Sequence, residues 1–295
     1  MKNFSFNKNF GYIYASIFIL IVIFIFLFNQ LDRILYIPIN TPEIWCETQP
    51  CIELDFGLFS VILVQPTSTF FVYLLGVITI ALGVYFLRAS KSNKFVYWWG
   101  IALLLWGLGA IFAGTSYQAF SYAIKCAGRG FCVWTSLWEI LYLLLSVGSV
   151  NAMLIAQANL DEKNGRNRII KTYALMNFLI YELVVVIGAI IPTQFMISFE
   201  VMILFLAPTI LFLLISNLHN YFEHKKRIYL SLTIIWVFLI LIIGLYFLYF
   251  ILGITEVLWE QQIWFSENDV LHIGLMLWMS YIYFTMNRYK QKLDI

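Results

Sequence analysis

Residues 228–252, IYLSLTIIWVFLILIIGLYFLYFIL, form the stretch that decides the fold. This run contains no charged side chain. A helix needs about 20 apolar residues to cross a hydrocarbon core of ~30 Å, so the run predicts a transmembrane helix. Seven other runs have the same character. The eight predicted helices cover residues 11–28, 69–87, 96–124, 133–157, 173–192, 195–217, 228–252 and 267–286.

The composition agrees with this reading. Hydrophobic residues make up 62% of the chain and charged residues 12%, whereas soluble domains are about half apolar and a quarter charged. The net charge is +2 and no basic tract occurs, which argues against a nucleic-acid partner. We therefore predict an all-α polytopic membrane protein. Residues 1–68 would form an N-terminal transmembrane helix with an outward loop, and residues 69–295 a seven-helix core.

The orientation follows from the positions of lysine and arginine, which concentrate on the cytoplasmic side of membrane proteins. With eight helices, 15 of the 18 basic residues fall on the side of the two termini. Only Arg33, Lys125 and Arg129 fall on the other side. Both termini are therefore predicted to lie in the cytoplasm. The membrane would be an inner or plasma membrane.

The four cysteines all lie in predicted outward loops, Cys46 and Cys51 in the first and Cys126 and Cys132 in the second. Cysteines confined to an oxidising side indicate disulfides. Local pairing within each loop is the simplest connectivity, and pairing between the loops and four free thiols are the alternatives. A zinc site is disfavoured because neither pair has the short C-x-x-C spacing.

Ionisable groups inside a bilayer are costly unless paired, so each is a candidate functional residue. The candidates are Glu139, Glu182, Glu200, Asp269 and His272. Uncharged polar residues accompany them on the third and eighth predicted helices: Thr115, Ser116, Gln118 and Asn268.

Four of these residues have the same predicted depth. Gln118 precedes the outer end of its helix by about six residues, and Glu139, Glu200 and His272 follow the outer starts of theirs by about six. At 1.5 Å per residue, all four would lie ~9 Å below the outer surface. We therefore predict a polar pocket in the outer leaflet, also containing Ser116, Asn268 and Asp269. The alternative is that these groups only form hydrogen bonds between helices.

Without its first helix the chain resembles the CREST superfamily, the seven-helix membrane hydrolases that include alkaline ceramidases and the progestin and adipoQ receptors. The segments GTSYQA (114–119) and NDVLHI (268–273) carry the resemblance. In that family a serine and a histidine on core helix two, an acidic residue on core helix three and an H-x-x-x-H motif on core helix seven surround a zinc ion.

By position, His272 matches the second histidine of that last motif, and Asn268 stands in place of the first. Gln118 replaces the histidine of core helix two, and Gly114 replaces the serine, with Ser116 nearby. Glu139 is the candidate acidic residue, although it lies farther along the chain from core helix two than in the family. One of three zinc histidines is thus present, so a metal site would have to use carboxylates.

The resemblance implies a membrane hydrolase of a lipid amide or ester. Glu139, Asp269 and His272 would bind zinc or another divalent metal, or act as general acid and base. One alternative is a receptor or binding protein whose metal-free pocket takes a membrane lipid or a small amphipathic ligand. The other is a proton-coupled carrier that uses Glu182 and Glu200.

Overall fold

The computed structural model describes residues 30–90, 93–160 and 166–291. The described chain is mostly helical, and six of its helices are long and apolar enough to cross a membrane. They are α2 (Pro66–Ala89), α3 (Lys94–Ala113), α5 (Leu137–Ala158), α6 (Arg166–Ile190), α7 (Phe199–His224) and α8 (Arg227–Ile251). The prediction of a helical membrane protein is confirmed at this level.

The remaining elements are shorter, apart from the last helix. They are α1 (Pro42–Trp45), β1 (Cys51–Asp55), β2 (Ser60–Val64), α4 (Ser121–Lys125), α9 (Ile254–Glu260) and α10 (Glu267–Gln291). A π-helix, Gly114–Ala119, continues α3, and a 3₁₀ turn, Gln194–Ile197, precedes α7. The first predicted helix, residues 11–28, lies outside the described residues. Helix α10, the eighth predicted helix, is formed but is not among the six.

The long helices pack in a closed circuit. Helix α2 contacts α3, α3 contacts α5, α5 contacts α6 and α7, α7 contacts α8, and α10 fills the place between α8 and α2. Three tryptophans are buried in the core, where Trp236 contacts both Trp99 and Trp278. The indole Nε1 of Trp278 donates to the carbonyl of Ile235 at 2.8 Å. These aromatic contacts form part of the hydrophobic core of the bundle.

Helices α2 and α3 approach closely because each carries two glycines seven residues apart, Gly76 and Gly83 on α2 and Gly100 and Gly107 on α3. A Cβ on Gly107 would lie 2.9 Å from the carbonyl oxygen of Gly76, and one on Gly83 would lie 3.0 Å from that of Gly100. Small residues at such an interface let two helix backbones pack together within a membrane. Helix α3 and its π extension are therefore held at a fixed position on α2.

Two helices begin later than predicted. Residues 133–136 precede α5, and Ser198 caps α7 by accepting a hydrogen bond from the Val201 N–H at 3.4 Å. Serine is a favoured N-cap residue, and the N-cap has extended backbone. Each helix therefore begins after its serine, although the apolar run starts earlier. Glu139 and Glu200 consequently lie in the first turns of their helices, whereas His272 lies in the second turn of α10.

The first predicted outward loop contains a β-hairpin, which the all-helical prediction did not include. Strands β1 and β2 pair antiparallel from Cys51 opposite Val64 to Asp55 opposite Ser60. At the turn, the Gly57 N–H donates to the Asp55 carboxylate at 2.7 Å, and Gly57 adopts a positive φ of 77°. Both features favour a tight reversal. The hairpin leads directly into α2.

Candidate functional site

The loops at one end of the bundle fold together into a unit that we call the cap, residues 30–65 and 120–136. The Trp134 N–H donates to the Ile34 carbonyl at 2.7 Å, and the Cys132 N–H donates to the Asn40 carbonyl at 2.9 Å. The other two predicted outward loops reach the same end. Gln194 Nε2 donates to the carbonyl of Leu35 at 2.6 Å, and the Thr67 hydroxyl donates to the Trp264 carbonyl. All four predicted outward loops therefore meet in one place.

Two disulfides fasten the cap. Cys46 is bonded to Cys51, and Cys126 is bonded to Cys132, with Cα atoms 5.6 Å and 4.3 Å apart. The predicted disulfides and their local pairing are confirmed. Cys126 and Cys132 are buried against Trp45 and Val64, so the second disulfide lies beneath the segment that holds the first. The cap has its own small core.

A buried ion pair joins the cap to the membrane helices. The Lys125 Nζ lies 2.5 Å from Glu139 Oε1, and both side chains are only 2–3% exposed. Lys125 also donates to the Tyr36 hydroxyl and to the Trp134 carbonyl, each at 3.2 Å. The three ammonium hydrogens thus have three acceptors. Its Nζ also lies over the ring of Tyr117, 5.0 Å from the centroid.

Two opposing effects act on the pKa of Lys125. Burial of the ammonium group acts to lower this pKa, but the charge of Glu139, aided by Tyr36, raises it, and the net pKa lies above the usual lysine value. Lys125 is therefore protonated at neutral pH, and its charge is neutralised by Glu139.

The Glu139 carboxylate also accepts a hydrogen bond from the π-helix. Ser116 Oγ donates to Glu139 Oε1 at 2.8 Å and lies 2.6 Å from Ser136 Oγ. The wider π turn, in which the Phe120 N–H bonds to the Thr115 carbonyl at 3.0 Å, offsets this segment from α3. Such turns are frequent at functional sites. Two predicted site residues, Ser116 and Glu139, are thus in direct contact.

An open cavity of about 240 Å³ is lined in part by Lys125 of this ion pair. Most of its lining comes from the cap, with Tyr117 from the π-helix and Trp259 from α9. The lining residues are Tyr36, Asn40, Trp45, Thr48, Gln49, Tyr117, Lys125 and Trp259. Lys125 is the one formally charged residue among these lining residues.

Two polar atoms of the lining residues are buried without a hydrogen-bond partner among the described residues, Trp45 Nε1 and Asn40 Oδ1. Trp45 is 5% exposed and Asn40 is half-buried. An unpaired buried polar group costs about 1–3 kcal/mol, so native structures satisfy such groups with protein, water or a ligand. Both atoms are themselves buried, so they lie behind the surface of the cavity and not on it.

Asp269 belongs to a different network from Glu139. Its Oδ2 accepts from the Ser266 N–H at 2.6 Å and from Ser266 Oγ at 3.1 Å, and lies 3.4 Å from Thr67 Oγ1. Ser266 Oγ in turn accepts from the Asn268 N–H at 3.2 Å. This is the reciprocal capping box of a helix N-terminus. Asp269 Oδ2 and the Asn268 N–H thus take part in the start of α10, whereas Asp269 Oδ1 is buried without a hydrogen-bond partner among the described residues.

The other predicted site residues are distributed as follows. His272 is buried in α10, and its Nδ1 has no partner within the described chain. Gln118 is buried at the end of the π-helix, and its Oε1 is likewise unpaired within the described residues. Glu200 is exposed on α7, and Glu182 is half-buried on α6. A shared metal-binding or acid–base role for Glu139, Asp269 and His272 stays a prediction.

Gly114 stands where the CREST resemblance places a serine, and a side chain there would have no room. A Cβ there would lie 2.4 Å from Cγ1 of Val72 on α2. Among residues 30–90, 93–160 and 166–291, no group of three or more His, Cys, Asp and Glu side chains is arranged to hold a metal ion.

The cavity itself was not predicted. The sequence marks Lys125 only as one of three basic residues on the predicted outer side, and it assigns Tyr36, Asn40 and Trp45 to a predicted loop. One signal was present in the sequence, a lysine directly before Cys126 at the end of an apolar run. Such a lysine near the outer membrane boundary needs a counter-ion, and Glu139 is the nearest acidic residue along the chain.

A family of unknown function, DUF6962, matches residues 67–291. The chain belongs to this family. The match covers all the long helices from α2 to α10, together with Tyr117, Lys125 and Trp259 of the cavity. The other five lining residues precede the matched segment. Neither a curated protein nor a solved structure matches the chain.

Proposed function

We propose that this DUF6962 chain is a receptor or binding protein of an inner or plasma membrane, with eight transmembrane helices and cytoplasmic termini. Its outward cap would hold a small molecule in the cavity above Lys125. The distribution of basic residues supports this orientation. The meeting of all four loops at the cap, and the two disulfides there, support it further, because disulfides persist on the oxidising side of a membrane.

The observation that carries the proposal is the cavity with its aromatic walls and few polar groups. Binding sites are concave and mostly apolar, with a few polar groups that fix the orientation of the ligand. This cavity has aromatic walls formed by Tyr36, Trp45, Tyr117 and Trp259. Its polar lining residues are Asn40, Thr48, Gln49 and Lys125.

The walls are held in place before any ligand arrives. The two disulfides fix the loops that carry Asn40, Trp45 and Gln49, and the Lys125–Glu139 ion pair fixes the floor to α5. A preformed site avoids the entropy cost of ordering loops on binding. A rigid cap above the membrane helices suits a protein that senses or captures a molecule outside the membrane.

A CREST-like hydrolase is the second candidate, and one contact favours it. Ser116, two residues after the position of that family's serine, donates to Glu139, the candidate acidic residue, at 2.8 Å. His272, with its unpaired Nδ1, would be the remaining ligand. Elemental mass spectrometry of the purified chain separates the candidates, because stoichiometric metal that is lost in His272→Ala supports the hydrolase and its absence supports the binding protein.

A thermal-stability screen tests the binding role. The purified full chain would be heated with a panel of neutral, anionic and cationic fragments, each of about 8–15 non-hydrogen atoms, the size that the cavity admits. A ligand at 100 times its Kd stabilises the folded chain by about 2.7 kcal/mol. We expect at least one fragment to raise the melting temperature of the native chain and of Trp138→Phe, whose indole packs on Phe112 outside the cavity lining.

The same fragment should have little effect on Trp45→Ala or Asn40→Ala, which remove two side chains from the cavity lining. A panel in which no fragment stabilises the chain, or in which stabilisation survives both cavity substitutions, would overturn the proposed binding role.

A further inference from the structure

We infer that the β-hairpin of the cap lies on the membrane surface, with one face of its two-stranded sheet in contact with the lipids of the leaflet beside the cap. This inference goes beyond the proposed binding role and does not depend on it. Three features of the described residues lead to it: the side chains that the hairpin exposes, the attachment of the hairpin to α2, and the free edge of β1.

The pairing of β1 with β2 sorts the side chains of the hairpin onto two faces. Residues directly opposite each other share a face, and successive residues alternate between the faces. Phe56 and Phe59 extend the pairing beyond the strands, because the Phe56 N–H donates to the Phe59 carbonyl at 3.0 Å and the two ring centroids are 5.3 Å apart. One face is therefore entirely apolar. This apolar face consists of Ile52, Leu54, Phe56, Phe59, Val61 and Leu63.

The opposite face packs on the cap and carries the charges of the hairpin. Cys51, Ile62 and Val64 belong to the small core of the cap around the second disulfide. Glu53 and Asp55 follow on the same face and are exposed. The hairpin is thus amphipathic, and the core of the cap lies on the side away from the apolar face.

The apolar face is open. Leu54 is 37% exposed, Phe56 is 60% exposed and Phe59 is 61% exposed. None of the six residues of the face is buried by the described part of the chain. Leu58, at the turn, is 96% exposed. A contiguous exposed apolar surface marks a contact with another protein or with a membrane.

The attachment of the hairpin to α2 favours the membrane. Only Gln65 separates Val64, the end of β2, from Pro66, the start of α2. Helix α2 is long and apolar enough to span a membrane, and its exposed side chains, such as Phe70 and Val77, face lipid. A strand of five residues is about 17 Å long, so the apolar face begins beside the point where α2 enters the membrane. The lipid-facing surface of α2 thus continues along the chain into the apolar face.

The free edge of β1 limits how deeply the hairpin can lie. Hydrogen-bonded pairs alternate along an antiparallel ladder, and the Gln65 N–H donates to the Pro50 carbonyl at 2.8 Å. By this alternation, the N–H and C=O groups of Cys51, Glu53 and Asp55 point away from β2. Such an edge cannot be buried in hydrocarbon, where its polar groups would have no partner. The hairpin therefore lies at the interface, where an amphipathic segment buries its apolar face by about 5–10 Å.

Fluorescence quenching by spin-labelled lipids tests this placement. All four native cysteines are in disulfides, so a thiol-reactive fluorophore labels only an introduced cysteine. The full chain would be placed in phosphatidylcholine nanodiscs with the label at Phe59→Cys or Ser60→Cys. These two positions are adjacent and exposed but lie on opposite faces, so each is the matched control of the other. Leu54→Cys and Asp55→Cys form a second matched pair.

We expect lipids with a nitroxide near the headgroup to quench most of the emission of Phe59→Cys and Leu54→Cys. Ser60→Cys and Asp55→Cys should keep most of their emission. A nitroxide at the end of the acyl chain should quench all four labels weakly, because the hairpin stays at the interface. Each labelled chain should keep the melting temperature of the native chain, which shows that the label leaves the fold intact.

Two results would overturn the inference. Equal quenching of adjacent labels, or no quenching at any position, would show that the apolar face is not turned to the membrane. Labels on the apolar face that are shielded from iodide in the water, yet are insensitive to both nitroxide lipids, would show that a protein partner or a second copy of the chain covers this face instead.

Discussion

Replacing Glu139 by glutamine keeps the size of the side chain and an acceptor for Ser116, but it removes the negative charge 2.5 Å from the Lys125 Nζ. The ammonium group would then be buried and uncompensated, because the Lys125 side chain is only 2% exposed. Breaking a buried pair in this way costs about 3–5 kcal/mol. The chain can limit the cost by releasing the proton of Lys125.

Release of the Lys125 proton sets an upper bound on the loss of unfolding free energy, and this bound depends on pH. An ordinary lysine has a pKa of about 10.4, so neutralising it at pH 7.4 costs about 4 kcal/mol and at pH 9 about 2 kcal/mol. In the native chain the raised pKa of Lys125 means that the contribution of the pair is full below about pH 10 and is lost only as the pH rises through the folded pKa. In Glu139→Gln burial would lower this pKa, so the folded state would bind fewer protons than the unfolded state and gain stability as the pH rises.

Equilibrium unfolding of the purified chain in mixed micelles, followed by circular dichroism, measures these free energies. We expect Glu139→Gln to lose about 3–4 kcal/mol at pH 7.4 and about 2 kcal/mol less at pH 9. The double variant Lys125→Met with Glu139→Gln should recover most of the loss. Asp32→Asn is the matched control, because its ion pair with Arg129, at 3.0 Å, is one-third or more exposed on both sides and should contribute less than about 1 kcal/mol. Equal, pH-independent losses for Glu139→Gln and Asp32→Asn would refute the reasoning.

Three other predictions follow from the structure. Replacing Cys126 and Cys132 by serine should lower the unfolding free energy by about 2 kcal/mol, because the disulfide, with a sequence separation of only 6, closes a short loop. Alkylation of the native, unreduced protein should find no free thiol at either position, and modification there would contradict the disulfide. Asp269→Ala should destabilise the chain by about 1–3 kcal/mol by unpairing the Ser266 cap, yet leave fragment binding unchanged; abolished binding would instead place Asp269 at the site. A reporter enzyme fused after Ile295 should be found in the cytoplasm. Reporter activity outside the cell would contradict the predicted topology.

Much of the fold could be predicted from apolar runs alone. Residues 228–252 gave α8 within one residue at each end, because nothing polar interrupts the run. The starts of α5 and α7 were set too early, since apolar residues such as Trp134 and Phe195 belong to extended or 3₁₀ backbone before the serine caps. Hydrophobicity cannot distinguish a helix from the apolar backbone that precedes it.

The site was much less predictable. The placement of the cysteines in two loops predicted both disulfides. Ser116 and Glu139, both predicted for one pocket, form a hydrogen bond, and their role in a site stays a prediction. The depth argument grouped Glu139 with His272, however, while the carboxylate forms its ion pair with Lys125. Asn40 and Trp45 line the cavity because the cap folds back on the helices. These contacts join residues that are far apart in the sequence, so the local sequence of the loop does not predict them.

The most direct test of the binding account is fluorine NMR of the full chain labelled with 5-fluorotryptophan. The chain has 10 tryptophans, and the Trp45, Trp259 and Trp278 signals can be assigned from the signal missing in each tryptophan-to-phenylalanine variant. On titration with the best stabilising fragment, the Trp45 and Trp259 signals should shift along one saturation curve. Trp278, buried in the core with its Nε1 bonded to Ile235, should not shift. Signals of Trp45 and Trp259 that stay fixed while the fragment stabilises the chain would contradict a ligand site in the cap.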